Sequence, residues 1–264
     1  MYETNAHGSD DHLRNCVVVV IPCFNAGPRL RPVLEESFQY VNRVIVVDDG
    51  STDGGTEDIE NEAVTLIRFP HNKGKGHALN AGIRRAIAMP GLKCIALLDA
   101  DGQHNPHELP HLFAVFQETV ADLLVGSRHL DKSKTPWRSR FGNRLTAWIM
   151  NRFFACPLSD TQCGYRLLSP GFAQDFVHAV PCGRYETELL MILYAIRRGY
   201  QLQAASVSTL YEPGNRSSHF RKFRDSSRIY SALLRSRFTS KLFHPGPADN
   251  EHDQPAGKEN DRPS

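Results

Sequence analysis

Cys16-Val-Val-Val-Val-Ile21, closed by Pro22, is the stretch that decides the fold. A short β-branched run of this kind, ended by a turn residue, reads as a buried strand. Working outward, Arg43-Val-Ile-Val-Val47, Val64-Thr-Leu-Ile67, Cys94 to Leu98 and Asp122 to Val125 read the same way. Helical spacing fills the gaps. Arg31 to Tyr40 carries Val33, Leu34 and Phe38, and Lys75 to Ala88 puts Ala78, Leu79, Gly82, Ile83 and Ala86 on one face. Thr56 to Ala63 and Leu109 to Glu118 also read as helices. Apolar strands alternating with amphipathic helices predict an α/β fold, a parallel sheet covered by helices on both faces.

In such a sheet, ligands bind beyond the carboxyl ends of the strands. The polar clusters Pro22–Asn25, Asp48–Asp53 and Asp99–Gln103 all fall there. The second half is less regular, with helices expected over Arg140–Phe154 and Glu186–Arg198 and a strand over Gln203–Leu210.

Composition sets outer bounds. A chain of 264 residues, 41% hydrophobic and 23% charged, can bury one large core. Its net charge of +2 does not point to nucleic acid, and none is expected as a partner. Cys16, Cys23, Cys94, Cys156, Cys163 and Cys182 include no CxxC pair, so neither a disulfide framework nor a zinc site is expected. No run approaches the roughly 18 apolar residues of a membrane helix, and the polar, acidic N-terminus is unlike a signal peptide. The expectation is a cytoplasmic protein whose membrane contact is peripheral. Residues 1–14 and 245–264 read as disordered ends around a single domain spanning 15–240.

The sharpest motif is Ile95-Ala-Leu-Leu-Asp99-Ala-Asp101-Gly-Gln103. Two carboxylates two residues apart, in the turn after a buried strand, can aim at one point. Mg²⁺ or Mn²⁺ accepts such oxygens and completes its shell with phosphate oxygens and water. Val46-Val-Asp-Asp49-Gly-Ser-Thr-Asp53 ends the second strand, where a carboxylate can accept from a base or ribose. Asp49 is the residue chosen for that contact. His71-Asn-Lys-Gly-Lys75-Gly-His77 precedes a helix; its glycines admit close backbone approach, and Lys75 adds a point charge for an anion. It lacks the Walker pattern, and Pro22-Cys-Phe24-Asn25 stands where a dinucleotide fold places its glycines. A P-loop NTPase and an NAD enzyme are therefore both excluded.

Val20-Ile-Pro-Cys-Phe-Asn25, Val47-Asp-Asp-Gly-Ser-Thr-Asp53, Asn72-Lys-Gly-Lys-Gly76, Asp99-Ala-Asp-Gly-Gln103 and Gly126-Ser-Arg128 resemble, in order and spacing, the inverting family 2 glycosyltransferases of GT-A fold. Within that family they look like the polyprenyl-phosphate branch of dolichyl-phosphate mannose synthase type. The resemblance covers roughly residues 16–235. It implies a Rossmann-like GT-A domain with a nucleotide-sugar half (15–128) and an acceptor half (129–240). It implies donor binding by Pro22, Phe24, Asn25, Asp49, Lys75, Asp99, Ala100 and Gln103, and a metal held by Asp99, Asp101 and Gln103. Arg128, with Arg138 or Arg140, would bind the acceptor's phosphate through guanidinium forks.

Ser159-Asp160-Thr-Gln162-Cys-Gly164-Tyr-Arg166 and Tyr185-Glu186-Thr-Glu188 also fit that pattern. Asp101, Asp160 and Glu188 are the catalytic candidates, although Asp160 can instead cap or pair with Arg166. A late loop, Gly214 to Lys222, resembles the one that closes over the diphosphate. Residues 222–243 carry apolar side chains at helical spacing among arginines, as a helix on an anionic membrane surface would.

The expected reaction is hexosyl transfer, with inversion, from a GDP- or UDP-sugar to a polyprenyl phosphate at the cytoplasmic membrane face. Two alternatives remain: a hydroxyl acceptor, with Asp160 or Glu188 as base, and a non-catalytic nucleotide-sugar binding module.

Overall fold

The computed structural model describes residues 12–128, 137–181, 183 and 186–208, with the backbone alone for 137–144. Seven strands form one sheet: β1 (Val17–Cys23), β2 (Val44–Asp48), β3 (Val64–Arg68), β4 (Cys94–Leu97), β5 (Leu123–Arg128), β6 (Arg166–Leu168) and β7 (Leu202–Val207). Their order is β3-β2-β1-β4-β6-β5-β7. All neighbours run parallel except β6, which is antiparallel to both β4 and β5. The Val-rich runs of β1 and β2 are buried along almost their whole length, as strands covered on both faces must be.

The helices are α1 (Leu30–Ser37), α2 (Lys75–Ile87), α3 (Leu109–Glu118), α4 (Trp137–Phe154), α5 (Pro170–Ala179) and α6 (Glu186–Arg198). Helix α2 lies across β1 and β2, closely enough that a Cβ on Gly82 would meet Val20 Cγ1 at 2.4 Å. Helices α2, α5 and α6 pack together, and α3 lies against β5, β6 and β7.

The chain runs outward from β1 to β3, then returns to place β4 on the other side of β1. That reversal opens a crevice at the carboxyl ends of β1 and β4, where ligands bind in open α/β sheets.

Three departures from the sequence reading have physical causes. Thr56–Ala63 is a run of turns, not a helix. The Thr56 hydroxyl is drawn to Asp48, Asp58 sits at φ 54°, and the Asn61 side chain accepts from the amides of Ala63 and Val64. Side-chain bonds of this type offer the backbone an alternative to the helix. Strand β6 and helix α5 were not foreseen. Residues 12–16 are helical within and just after the stretch read as a lead-in over 1–14; Leu13 is buried and Arg14 donates to the carbonyl oxygens of Phe38 and Gln39. The proposed late loop, the helix at 222–243 and the tail at 245–264 lie outside the described residues.

Candidate active site

The first wall of the crevice is made by the turns after β1 and β2, and its polar side chains hold it together. Asn25, at φ 50°, donates its amide to Ser51 Oγ (2.9 Å) and accepts from the Thr52 amide at Oδ1 (2.8 Å). Asp48 is buried; its carboxylate accepts from the Ser51 amide (2.7 Å), the Thr56 hydroxyl and Arg68 Nε (3.1 Å). Asp49, also buried, accepts from the amides of Lys73 (2.7 Å) and Gly74 (2.8 Å), one on each oxygen. Gly50, at φ 76°, is pressed on this loop, and a Cβ there would stand 2.7 Å from the His71 carbonyl carbon. Asp49 therefore fixes the loop that delivers Lys75 and the start of α2. Pro22 and Phe24 are half-buried on the same wall.

At the end of β4, Asp99 Oδ1 lies 2.6 Å from Lys75 Nζ, which in turn reaches Glu188 Oε1 at 3.1 Å. Burial pulls the Lys75 ammonium towards neutrality, but the two carboxylates together outweigh it and raise its pKa well above the ordinary value. Burial likewise opposes the ionised form of Asp99; Lys75, then His104, overcome it and lower its pKa. Asp101 differs. Burial, then the neighbouring charge of Asp99, raise its carboxyl to about 6, although Oδ1 accepts from the Gln103 amide (3.0 Å). Ala100 between them is buried, and Gly102 takes φ 76° to turn the loop.

The donor set suits a hard divalent cation. Among the described residues no group of three or more His, Cys, Asp or Glu converges on one point. The loop offers two oxygen donors, as expected for Mg²⁺ or Mn²⁺ that shares its shell with substrate phosphates. The Asp101 carboxyl, raised first by burial and then by Asp99, is one that such an ion would hold ionised.

Three neighbours of this loop were not among the residues assigned to the site, although Gly164 and Arg166 stand in the quoted Ser159–Arg166 motif. His104 is 3% exposed, with Nε2 at 3.7 Å from Asp99 Oδ2, and burial depresses its pKa to about 4. Its place directly after Gln103 was the available signal. Gly164 backs Asp99 so closely that a Cβ would lie 2.4 Å from Oδ2. Arg166, wholly buried, pairs with no carboxylate among the described residues; it donates from Nε to the Cys163 carbonyl (3.0 Å), from Nη2 to the Thr161 carbonyl (3.2 Å) and from Nη1 to the Glu188 carbonyl.

At the end of β5, Arg128 and Asp160 form a two-pronged bridge, Nε to Oδ2 at 2.7 Å and Nη2 to Oδ1 at 3.1 Å. Asp160 thus pairs with Arg128, not with Arg166. Burial resists its ionisation, but Arg128 more than compensates and lowers its pKa. The Gln162 amide also donates to Asp160 Oδ1 (3.0 Å). Arg138 and Arg140 stand in the first turn of α4, ten and twelve residues after Arg128; their side chains lie outside the described set. The structure therefore gathers Lys75, Asp99, Asp101, Gln103 and Glu188 with the Arg128–Asp160 pair around one crevice.

Comparison with known proteins gives the family and the fold. The family model for glycosyl transferase family 2 matches residues 18–172. An uncharacterised protein of Methanocaldococcus jannaschii is 31% identical over 74% of this chain and 82% of its own length. The undecaprenyl-phosphate mannosyltransferase of Micrococcus luteus is 30% identical over 57% of this chain and 65% of its own. Among solved structures, glucosyl-3-phosphoglycerate synthase of Mycobacterium tuberculosis, in complex with Mn²⁺, UDP and glucosyl-3-phosphoglycerate, superposes with a TM-score of 0.66 at 15% identity, covering 90% of this chain and 86% of that one. The fold is GT-A, and the chain belongs to glycosyl transferase family 2, with relatives in its polyprenyl-phosphate branch.

Proposed function

We propose that this glycosyltransferase moves a hexosyl group from a GDP- or UDP-sugar to a polyprenyl phosphate, inverting the anomeric carbon, at the cytoplasmic face of a membrane. The observation that carries the acceptor class is that both candidate bases are already ion-paired: Asp160 with Arg128, and Glu188 with Lys75. A sugar hydroxyl needs a base to take its proton, whereas a phosphate monoester arrives ionised. A carboxylate whose pKa is lowered by a guanidinium is a weak base. The site therefore suits an acceptor that brings its own negative charge. Relatives named as transferases to undecaprenyl phosphate and dolichyl phosphate support the same class.

In this reading the crevice between β1 and β4 takes the nucleoside against Pro22 and Phe24, with Asp49 holding the wall. Asp99, Asp101 and Gln103 would hold Mg²⁺ or Mn²⁺, which when bound compensates charge on the departing diphosphate. Lys75 adds a positive charge beside Asp99. Asp160 holds the Nε–Nη2 edge of Arg128 and so directs the other guanidinium edge, Nη1–Nη2, to the acceptor phosphate, and an acceptor oxygen then attacks in line from the side opposite the diphosphate. In this reading membrane contact is peripheral; among the described residues no helix is long and apolar enough to cross a bilayer.

The test is to incubate the protein with labelled GDP- and UDP-sugars, with Mg²⁺ or Mn²⁺, and with undecaprenyl or dolichyl phosphate in vesicles. Label should enter the lipid phase and stay out of it in the Asp99→Asn, Asp101→Asn double variant. Label that enters a soluble glycan instead establishes a hydroxyl acceptor. Metal-dependent nucleotide binding with no turnover at all would leave a binding module.

A further inference from the structure

Arg166 occupies a position that packing alone does not explain. It opens β6 at the point where that strand pairs with Leu97 of β4 on one side and Val125 of β5 on the other. Its side chain is 0% exposed. Burying a guanidinium is costly unless its donors are satisfied, and an apolar side chain of similar volume would fill the space without that cost. Nothing at the centre of a sheet requires a cation.

The partners it has chosen are informative. All three are backbone carbonyls, and they lie on two separate segments: Thr161 and Cys163 in the loop before β6, and Glu188 in the first turn of α6. Each segment delivers a group to the catalytic crevice. The loop carries Asp160, which holds Arg128, and Gly164, whose backbone backs Asp99. The first turn of α6 carries the Glu188 carboxylate, which holds Lys75 against Asp99. A planar fork with donors at fixed angles can set the spacing of carbonyls in a way that a flexible ammonium cannot.

We propose that Arg166 is the positioning residue that locks the acceptor half onto the metal loop: by fixing three carbonyls it sets where Gly164 and Lys75 meet Asp99 and where Asp160 presents Arg128. It touches neither substrate nor metal and acts through those groups. The assignment rests on the glycosyl-transfer reading for its effect on turnover, but its effect on the metal loop stands apart from that reading.

Two variants of the full chain separate fork from charge. Arg166→Lys keeps the charge and loses the fork; Arg166→Gln keeps amide donors and loses the charge. Binding of Mn²⁺, alone and with UDP or GDP, is read from the electron paramagnetic resonance of the free ion. Label transfer to lipid is measured in parallel. For Arg166→Lys the expected results are Mn²⁺ affinity weakened about tenfold and kcat lowered more than the donor KM is raised, with Arg166→Gln the milder of the two. A purely structural role would lower the melting temperature and leave Mn²⁺ affinity and kcat per folded molecule at parent values. That outcome in either variant overturns the proposal, as does a larger loss for Arg166→Gln than for Arg166→Lys, which would assign the effect to charge. If the parent itself transfers no sugar, the functional reading fails while the Mn²⁺ arm still decides the role of Arg166.

Discussion

The two halves of this molecule hold their functional groups by different means. In the first half of the chain Asn25, Asp49 and the Asp99–Asp101 pair each follow a buried strand, β1, β2 and β4 in turn. Strand ends in a parallel sheet point one way, so sequence order alone brings them to one edge. In the second half Asp160, Gly164 and Glu188 sit on a loop and a helix start with no common strand direction, and the buried Arg166 binds the carbonyls of Thr161, Cys163 and Glu188 among them. The first design places groups by fold topology and the second by polar contacts within the interior. Damage to the first should therefore remove chemistry, and damage to the second should loosen geometry.

The largest expected effect is in the first design. Asp101→Asn removes a carboxylate from the cation's site, and loss of several kcal/mol of charge compensation predicts kcat down by at least ~10³-fold. Label transfer under saturating donor, with circular dichroism to check folding, measures it. A loss below tenfold would break the view that the donor half holds the metal.

Next comes the link between the halves. Lys75 belongs to α2 of the donor half yet bridges Asp99 and Glu188, at 2.6 and 3.1 Å. Lys75→Met leaves two partly buried carboxylates facing one another; removing one member of a fully buried ion pair costs about 3 kcal/mol or more, and with these side chains 12–25% exposed the loss here is smaller. The expected signature is a lower melting temperature that Mn²⁺ restores in larger measure than for the parent, because a cation takes over the role of the ammonium beside Asp99. Equal Mn²⁺ shifts for parent and variant would show that the halves are not coupled through this chain.

How far the sequence exposed each half follows the same division. Strand runs such as Val17–Ile21 and the acids just beyond Leu98 were legible because period and position along the chain carry the information. Strand β6 was not, being three residues long and opening on a buried arginine, so it shows neither alternation nor an apolar run. Helix α5 left a signal that was overlooked: Ser169-Pro170 before Phe172 and Phe176 is an N-cap, a first-turn proline and a helical apolar pair. Asp49 and Arg128 were singled out by their motifs, but their partners depend on contacts 24 and 32 residues apart, beyond any local pattern.

A third effect concerns protons. The Asp101 carboxyl is raised to about 6 by burial and by Asp99, against ~3.9 in an unfolded chain. Between those values the folded protein binds more protons than the unfolded, so the contribution of this group to stability is full below ~3.9 and is lost as pH rises through about 6. The loss amounts to about 3 kcal/mol. In chelator, the stability difference between parent and Asp101→Asn should move against the parent across that window. Saturating Mg²⁺ should flatten it, since the ion stabilises the ionised pair. A slope unchanged by Mg²⁺ would place the two carboxylates outside a shared cation site.

The smallest effect tests whether stability in the acceptor half can be separated from its site. Ser169 Oγ accepts from the Phe172 amide (3.2 Å) to cap α5 and donates to Asp122 Oδ1 (3.0 Å). Asp122 in turn accepts from the Gln201 amide (3.0 Å), so one hydroxyl ties α5 to the entries of both β5 and β7. Loss of a serine cap costs about 1 kcal/mol. Ser169→Ala should lower stability by about that amount in chemical denaturation while leaving kcat and the donor KM unchanged, because the cap lies at the end of β6 away from Arg166 and Gly164. If kcat falls with stability, the acceptor half is held as one rigid piece, and positioning through Arg166 is only part of a wider network.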